Sequence, residues 1–215
     1  DVPLSTSVTL TSRDTKASFR LKVEGRADGV FRERPEITVD EIKGVYMDIH
    51  QLREPLTVHK AQAMCYAYMI CERENPALIS VQVTYCHLET EEERRFRETF
   101  TNLEICNWFN DLIAKYEPWA VYEYDWKLRR NSSVQNIEFP FPYREGQREL
   151  AACVYKTMEH KKKIFIQAPT GVGKTISTVF PSVKAIGEGL ADRIFYLTAK
   201  TVTQTVAQDC FLLLS

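Results

Sequence analysis

Residues 168–175 read Ala168-Pro169-Thr170-Gly171-Val172-Gly173-Lys174-Thr175 and lie between the apolar run Ile164-Phe165-Ile166 and a segment with the spacing of an amphipathic helix. The spelling follows from what it takes to hold phosphate. Gly171 and Gly173 open backbone conformations closed to residues with a Cβ, so successive N–H groups can turn inward onto phosphate oxygens. In a loop of this pattern Lys174 reaches the β and γ phosphates and the hydroxyl of Thr175 ligates Mg²⁺. The helix that starts there adds the positive end of its dipole. Ala168 stands where the commonest form of the loop has its first glycine. The stretch predicts a nucleoside triphosphate site.

Working outward, the order after residue 143 reads helix (147–158), strand (164–167), glycine loop, helix (175–186), strand (193–198) and helix (202 onward). Such alternation predicts a parallel sheet with right-handed crossovers. Upstream, Asn131-Ser132-Ser133 through Phe139-Pro140-Phe141-Pro142 reads as a linker, since the prolines oppose helix and the polar triplet supplies no core. Before it, strand-like alternation at 7–10, 18–23 and 36–42 leads into a helix carrying Val58, Ala61, Met64, Cys65, Tyr68 and Met69 at 3–4 spacing and ending by Asn75-Pro76. A strand over 78–88 follows. A charged helix is then predicted from Thr90, with Glu91-Glu92-Glu93 in its first turn, until Pro118 interrupts it. The chain thus reads as α/β, with one domain over 1–130, a linker over 131–142 and a second domain over 143–215.

Composition bounds the rest. The 215 residues are 44% hydrophobic, enough for real cores, and 28 basic against 29 acidic residues give no bulk charge to draw in nucleic acid. Cysteines at 65, 71, 86, 106, 153 and 210 include no Cys-x-x-Cys pair, which argues against a zinc ribbon and a disulfide framework and favours a reduced, cytoplasmic setting. Cys210, within an apolar helix, reads as core. No apolar stretch has the length of a membrane span, so no membrane partner is expected. The chain opens at Asp1-Val2-Pro3 and closes on Phe211-Leu212-Leu213-Leu214-Ser215, and so reads as a fragment.

With Phe141-Pro142-Tyr143-Arg144-Glu145-Gly146-Gln147 upstream of the loop and Tyr196-Leu197-Thr198-Ala199-Lys200-Thr201 downstream, the region resembles the first RecA-like motor domain of superfamily 2 helicases, in the DinG and XPD branch. The resemblance covers about a third of the chain. It implies the truncated start of a RecA-like, parallel-sheet P-loop NTPase domain that binds ATP, with Arg144 and Gln147 on the adenine side and the glutamine amide paired to the base edge. Lys174 and Thr175 would hold phosphate and Mg²⁺. Thr198, Ala199, Lys200 and Thr201 would contact the phosphate backbone of single-stranded DNA. Gln147 also reads as a solvated helix residue, and 198–201 as an ordinary strand-to-helix cap. Turnover needs a further acidic pair and arginines from a second motor domain. The one Asp-Glu pair, Asp40-Glu41, precedes the loop. Helicases of this branch often carry a four-cysteine iron–sulfur cluster, which would lie outside these residues in the full-length protein.

In the first domain, Val23-Glu24-Gly25-Arg26-Ala27-Asp28-Gly29-Val30 followed by Val39-Asp40-Glu41-Ile42-Lys43, with Gln62-x-x-x-Tyr66 on the next helix, resembles the RecB-like PD-(D/E)XK nucleases. The resemblance implies that Asp28, Glu41 and the Ile42 carbonyl bind Mg²⁺, that the metal lowers the pKa of a water, and that Lys43 steadies the nucleophile or the phosphate charge. Glu41 and Lys43 share a strand face, and Gln62 and Tyr66 share a helix face. Alanine precedes Asp28 where the family has proline, and the acidic or histidine residue of an earlier helix would fall before Asp1. His59, beside Gln62, reads as a ligand or as a helix-surface histidine.

Three readings result. The chain is part of an ATP-dependent DNA helicase with a fused metal-dependent nuclease acting on single-stranded or flapped DNA; or the same motor with a catalytically silent nuclease fold that guides DNA; or a phosphate-loop ATPase that remodels proteins.

Overall fold

The computed structural model describes residues 1–33, 36–169 and 171–214. It holds two compact units, Asp1–Tyr122 and Glu123–Ser215. The described residues form a mixed α/β chain with a mixed sheet and five α-helices.

In the first unit, β1 (Val2–Thr11) and β2 (Ser18–Ala27) pair as an antiparallel hairpin, Val2 opposite Ala27 and Thr11 opposite Ser18. A four-stranded sheet follows in the order β3 (Gly29–Glu33), β4 (Glu36–Val45), β5 (Leu78–His87), β6 (Glu93–Thr101). The β4–β5 pair is parallel and needs a crossover, which α1 (Thr57–Glu74) supplies; the outer pairs are antiparallel. Strand alternation sorts the two faces of this sheet. Val39, Ile79 and Val81 share a core with Ala63, Met64, Ala67 and Ile70 of α1 and with Leu4 and Ala27 of the hairpin. Because α1 meets both sheet and hairpin, its apolar residues are not confined to one stripe. The opposite face carries polar residues that satisfy one another: Asp40 accepts from Gln82 (2.7 Å) and Thr84 (2.8 Å), and Glu36 accepts from Ser80 (2.6 Å).

The boundary between the units falls within α2 (Asn102–Gln135). Beyond it come α3 (Gln147–Glu159), α4 (Lys174–Gly187) and α5 (Thr201–Leu213). α3 packs on α4 and α4 on α5, burying Ala151, Val154, Ile176, Val179, Phe180 and Ala207. Phe139 stacks on Tyr143 with ring centres 4.1 Å apart and meets Phe180 edge-on at 5.2 Å.

Several local expectations are overturned. The helix expected from Thr90 is instead β6, and helix begins only at Asn102. Phe96 and Phe100, four residues apart, satisfy either period, and pairing of Val83 with Phe96 and Ile79 with Phe100 decides for strand. Pro118 does not end α2 but lies inside it, between Ile105 and Phe109 on one side and Ala120 and Val121 on the other, all buried. Residues 131–135 of the expected linker are the end of this helix. Neither 164–167 nor 193–198 forms a strand, so no parallel sheet exists among the described residues of the second unit. The reason is missing burial: Phe165 is 97% exposed and Leu197 90%, so no apolar contact offsets the entropy of ordering them as a sheet.

Candidate functional site

The parallel β4–β5 pair brings Lys43 beside Tyr85, and α1 crosses the same face. A chain of hydrogen bonds runs from strand to helix. Lys43 Nζ donates to Glu41 Oε1 at 2.5 Å and to Gln62 Oε1 at 3.3 Å, and Gln62 Nε2 donates to Tyr66 Oη at 3.2 Å. Glu41, Lys43, Gln62 and Tyr66 are thus brought together. Asp28, in the bend between β2 and β3, accepts from the Ile42 N–H through Oδ2 at 2.8 Å, which ties it to the same stretch of β4. Tyr66 lies close against β2, where a Cβ on Gly25 would stand 2.5 Å from its hydroxyl.

Glu41 is the unusual group here. It is 1% exposed, and among the described residues its Oε2 is a buried acceptor with no hydrogen-bond partner. Burial pushes its carboxyl pKa up; Lys43 opposes that shift, and the charges of Asp28 and Asp40 add to it. A buried, half-satisfied carboxylate with a second carboxylate in electrostatic reach suits a divalent cation, which would satisfy the free oxygen and offset the desolvation. No group of three or more His, Cys, Asp or Glu residues suited to a metal is present among the described residues. Asp28, Glu41 and the Ile42 carbonyl would offer three oxygens, and a Mg²⁺ held there would keep water in its remaining positions.

Two further participants stand here: His59, which the sequence left between a ligand and a helix-surface residue, and Tyr85, which it did not mark. His59 Nδ1 lies 2.9 Å from Tyr85 Oη, and the Leu56 N–H donates to the same oxygen at 2.9 Å. Burial, followed by the charge of Lys43, lowers the His59 pKa. His59 was legible from its spacing, since 59, 62 and 66 follow one helix face. Tyr85 was not, because only the strand register places it beside Lys43.

In the second unit the glycine loop closes on itself. Lys174 Nζ donates to the carbonyls of Ala168 (2.8 Å) and Pro169 (2.6 Å), and the Arg144 guanidinium donates to the Gly171 carbonyl. Gly173, at φ +74°, caps α4, whose first residues are Lys174 and Thr175. Gln147 is 5% exposed; its Oε1 accepts from the Arg144 N–H at 3.0 Å, leaving one lone pair of that oxygen for another donor. Arg144, Gln147, Ala168, Pro169, Gly171 and Val172 line a cavity of about 720 Å³, while Thr170 lies outside the described residues. A second cavity of about 610 Å³ is lined by Phe139 and Tyr143 of the α2–α3 connection, Tyr155 of α3 and Phe180 of α4, and includes no residue of the glycine loop.

Thr198 and Ala199 precede α5 in an irregular segment, Lys200 is its extended N-cap, and Thr201 its first residue. Thr203 Oγ1 donates to the Lys200 carbonyl at 2.7 Å and Thr198 Oγ1 to the same carbonyl at 3.3 Å. The first N–H groups of α5 thus lie beside two threonines and a lysine. Among the described residues no helix is long and apolar enough to cross a membrane.

No protein-family model matches the chain. Over 47 residues it is 36% identical to a probable ATP-dependent helicase of Methanocaldococcus jannaschii, a match covering 21% of this chain and 7% of that protein. The crystal structure of SSO0001 is similar over 53% of this chain and 49% of its own, with a TM-score of 0.31 and 21% identity. The chain spans a small part of the helicase it matches, and that match supports a helicase-like relationship.

Proposed function

We propose that the chain belongs to an ATP-dependent DNA helicase of the DinG and XPD branch, with Asp1–Tyr122 a nuclease-like unit that uses Mg²⁺ on single-stranded or flapped DNA. The helicase-like match supports the motor half in outline. The observation that carries the site reading is the unpartnered Oε2 of Glu41, bonded through Oε1 to Lys43 and within electrostatic reach of Asp28, midway along the β4–β5 pair.

Asp28, Glu41 and the Ile42 carbonyl are the residues that would hold the metal, which when bound supplies a water of lowered pKa and a counter-charge for phosphate. The Lys43 ammonium donates one N–H to Glu41 and another to Gln62, which leaves the third to donate to a phosphate oxygen. Tyr66 fixes Gln62, and Gln62 fixes Lys43. In the loop, nucleotide phosphate would take Lys174 from the carbonyls it now serves.

Two measurements test the reading. Titration of a fluorescent ATP analogue, with phosphate release followed in parallel, is expected to show binding that Lys174→Ala abolishes, without DNA-stimulated turnover by these residues alone; turnover overturns the assignment of hydrolysis to groups outside them. Calorimetry with Mn²⁺, paired with a cleavage assay on flapped DNA, tests the metal site: Asp28→Ala and Glu41→Ala are expected to lose both, and Lys43→Ala to lose cleavage while retaining ion binding. Absence of both in the unaltered chain leaves a DNA-guiding fold without catalysis.

A further inference from the structure

Tyr85 fixes the proton of His59. The tyrosine is 0% exposed, and its oxygen already accepts the Leu56 N–H at 2.9 Å. Its own proton must go to an acceptor, because a buried hydroxyl donor left unpaired costs about 1–3 kcal/mol. His59 Nδ1, at 2.9 Å, is the partner in place. Nδ1 is therefore the acceptor, and the imidazole proton sits on Nε2.

Three influences keep that ring neutral. His59 lies in the first turn of α1, where the helix dipole disfavours added positive charge. Its burial and the charge of Lys43 act the same way. Among the described residues Nε2 has no hydrogen-bond partner, and His59 sits on the helix face of Gln62 and Tyr66. The outcome is an N–H donor, uncharged and held in one tautomer, beside an ammonium that has one proton to spare.

We infer that His59 is a substrate-binding residue, its Nε2–H donating to a non-bridging phosphodiester oxygen that Lys43 also contacts, with Tyr85 the residue that fixes its tautomer. The inference rests on reading the Glu41–Lys43 stretch of β4 as a phosphodiester site. A neutral donor suits a site that already holds an ammonium, since it adds a hydrogen bond to the phosphate without a second cation to repel Lys43 or compete with a metal ion.

The test uses the whole chain and the dinucleotide thymidylyl-thymidine in EDTA, so that no metal is involved. Long-range ¹H–¹⁵N spectra are expected to show His59 neutral at pH 7 and protonated on Nε2, with that resonance shifting as dinucleotide is added. Affinity, followed at the Leu56 amide, is expected to fall about tenfold in His59→Ala, the worth of one hydrogen bond to a charged group. His59→Gln, whose terminal amide keeps a donor, is expected to stay within about threefold. An Nδ1–H tautomer, a His59 resonance unmoved by dinucleotide, or unchanged affinity in His59→Ala overturns the inference. Failure of the metal reading looks different: the dinucleotide results hold, while the unaltered chain binds no Mn²⁺ and cuts no DNA.

Discussion

The amide nitrogen of Gln147 stands 2.5 Å from the point a Cβ would occupy on Gly173, so the residue before Lys174 and the residue that opens α3 share one space. Gly173 also sits at φ +74°, where a side chain is strained whatever the room around it. Gly173→Ala is therefore expected to displace Gln147 from its bond with the Arg144 N–H and to weaken binding of an ATP analogue by about tenfold or more. Adding Gln147→Ala relieves the collision but not the backbone strain, so fluorescence titration of the double variant should show at most partial recovery.

A second glycine makes a comparable prediction in the first unit. A Cβ on Gly25 would meet the hydroxyl of Tyr66 at 2.5 Å and its ring at 2.8 Å, and Tyr66 is buried. Gly25→Ala is expected to cost about 1–3 kcal/mol in urea denaturation, as overpacking does. Since the ring as well as the hydroxyl obstructs, Tyr66→Phe in the same chain should not restore stability.

The raised carboxyl pKa of Glu41 has a definite sign in stability. The folded state holds this proton more tightly than the unfolded chain does, so the contribution is present at low pH and is lost as pH rises from the ordinary carboxylate range through the raised value. Glu41→Gln, neutral at every pH, should flatten that part of the pH–stability curve. Mn²⁺ should flatten it in the unaltered chain too, and a slope that neither change alters contradicts the metal site.

Pro118 offers a test of α2. Inside a helix it removes one N–H donor and crowds the carbonyl of Ala114, a cost of about 3 kcal/mol against alanine, offset in part by the stiffness proline gives the unfolded chain. Pro118→Ala is expected to raise stability by about 1–2 kcal/mol in urea denaturation. A loss instead would show that α2 is bent at this point for a packing reason.

These cases mark where sequence reading carried and where it stopped. The strand around Glu41 and Lys43 and the helix carrying Gln62 and Tyr66 were legible because period-2 and 3–4 spacing are local properties of the chain. The β6 strand was not, since Phe96 and Phe100 fit either period until their pairing with β5 is known. Pro118 misled because burial on both sides of it outweighs one missing hydrogen bond. The role of Tyr85 depends on register against β4, which no stretch of sequence contains. The expected strands at 164–167 and 193–198 show the converse, since suitable residue types do not make a sheet without neighbours to pack against.

Those two segments also govern how the chain behaves in solution. Ile164-Phe165-Ile166 and Phe195-Tyr196-Leu197 are short, apolar, free of proline and outside any sheet, the makeup of segments that pair between molecules. Lys161-Lys162-Lys163 puts three positive charges before the first, while Asp192-Arg193 before the second carries both signs and adds no net charge. Colloidal stability is thereby uncoupled from folding stability: with 28 basic against 29 acidic residues almost no net charge keeps molecules apart, so two preparations with the same melting temperature are expected to differ in turbidity through protein concentration alone.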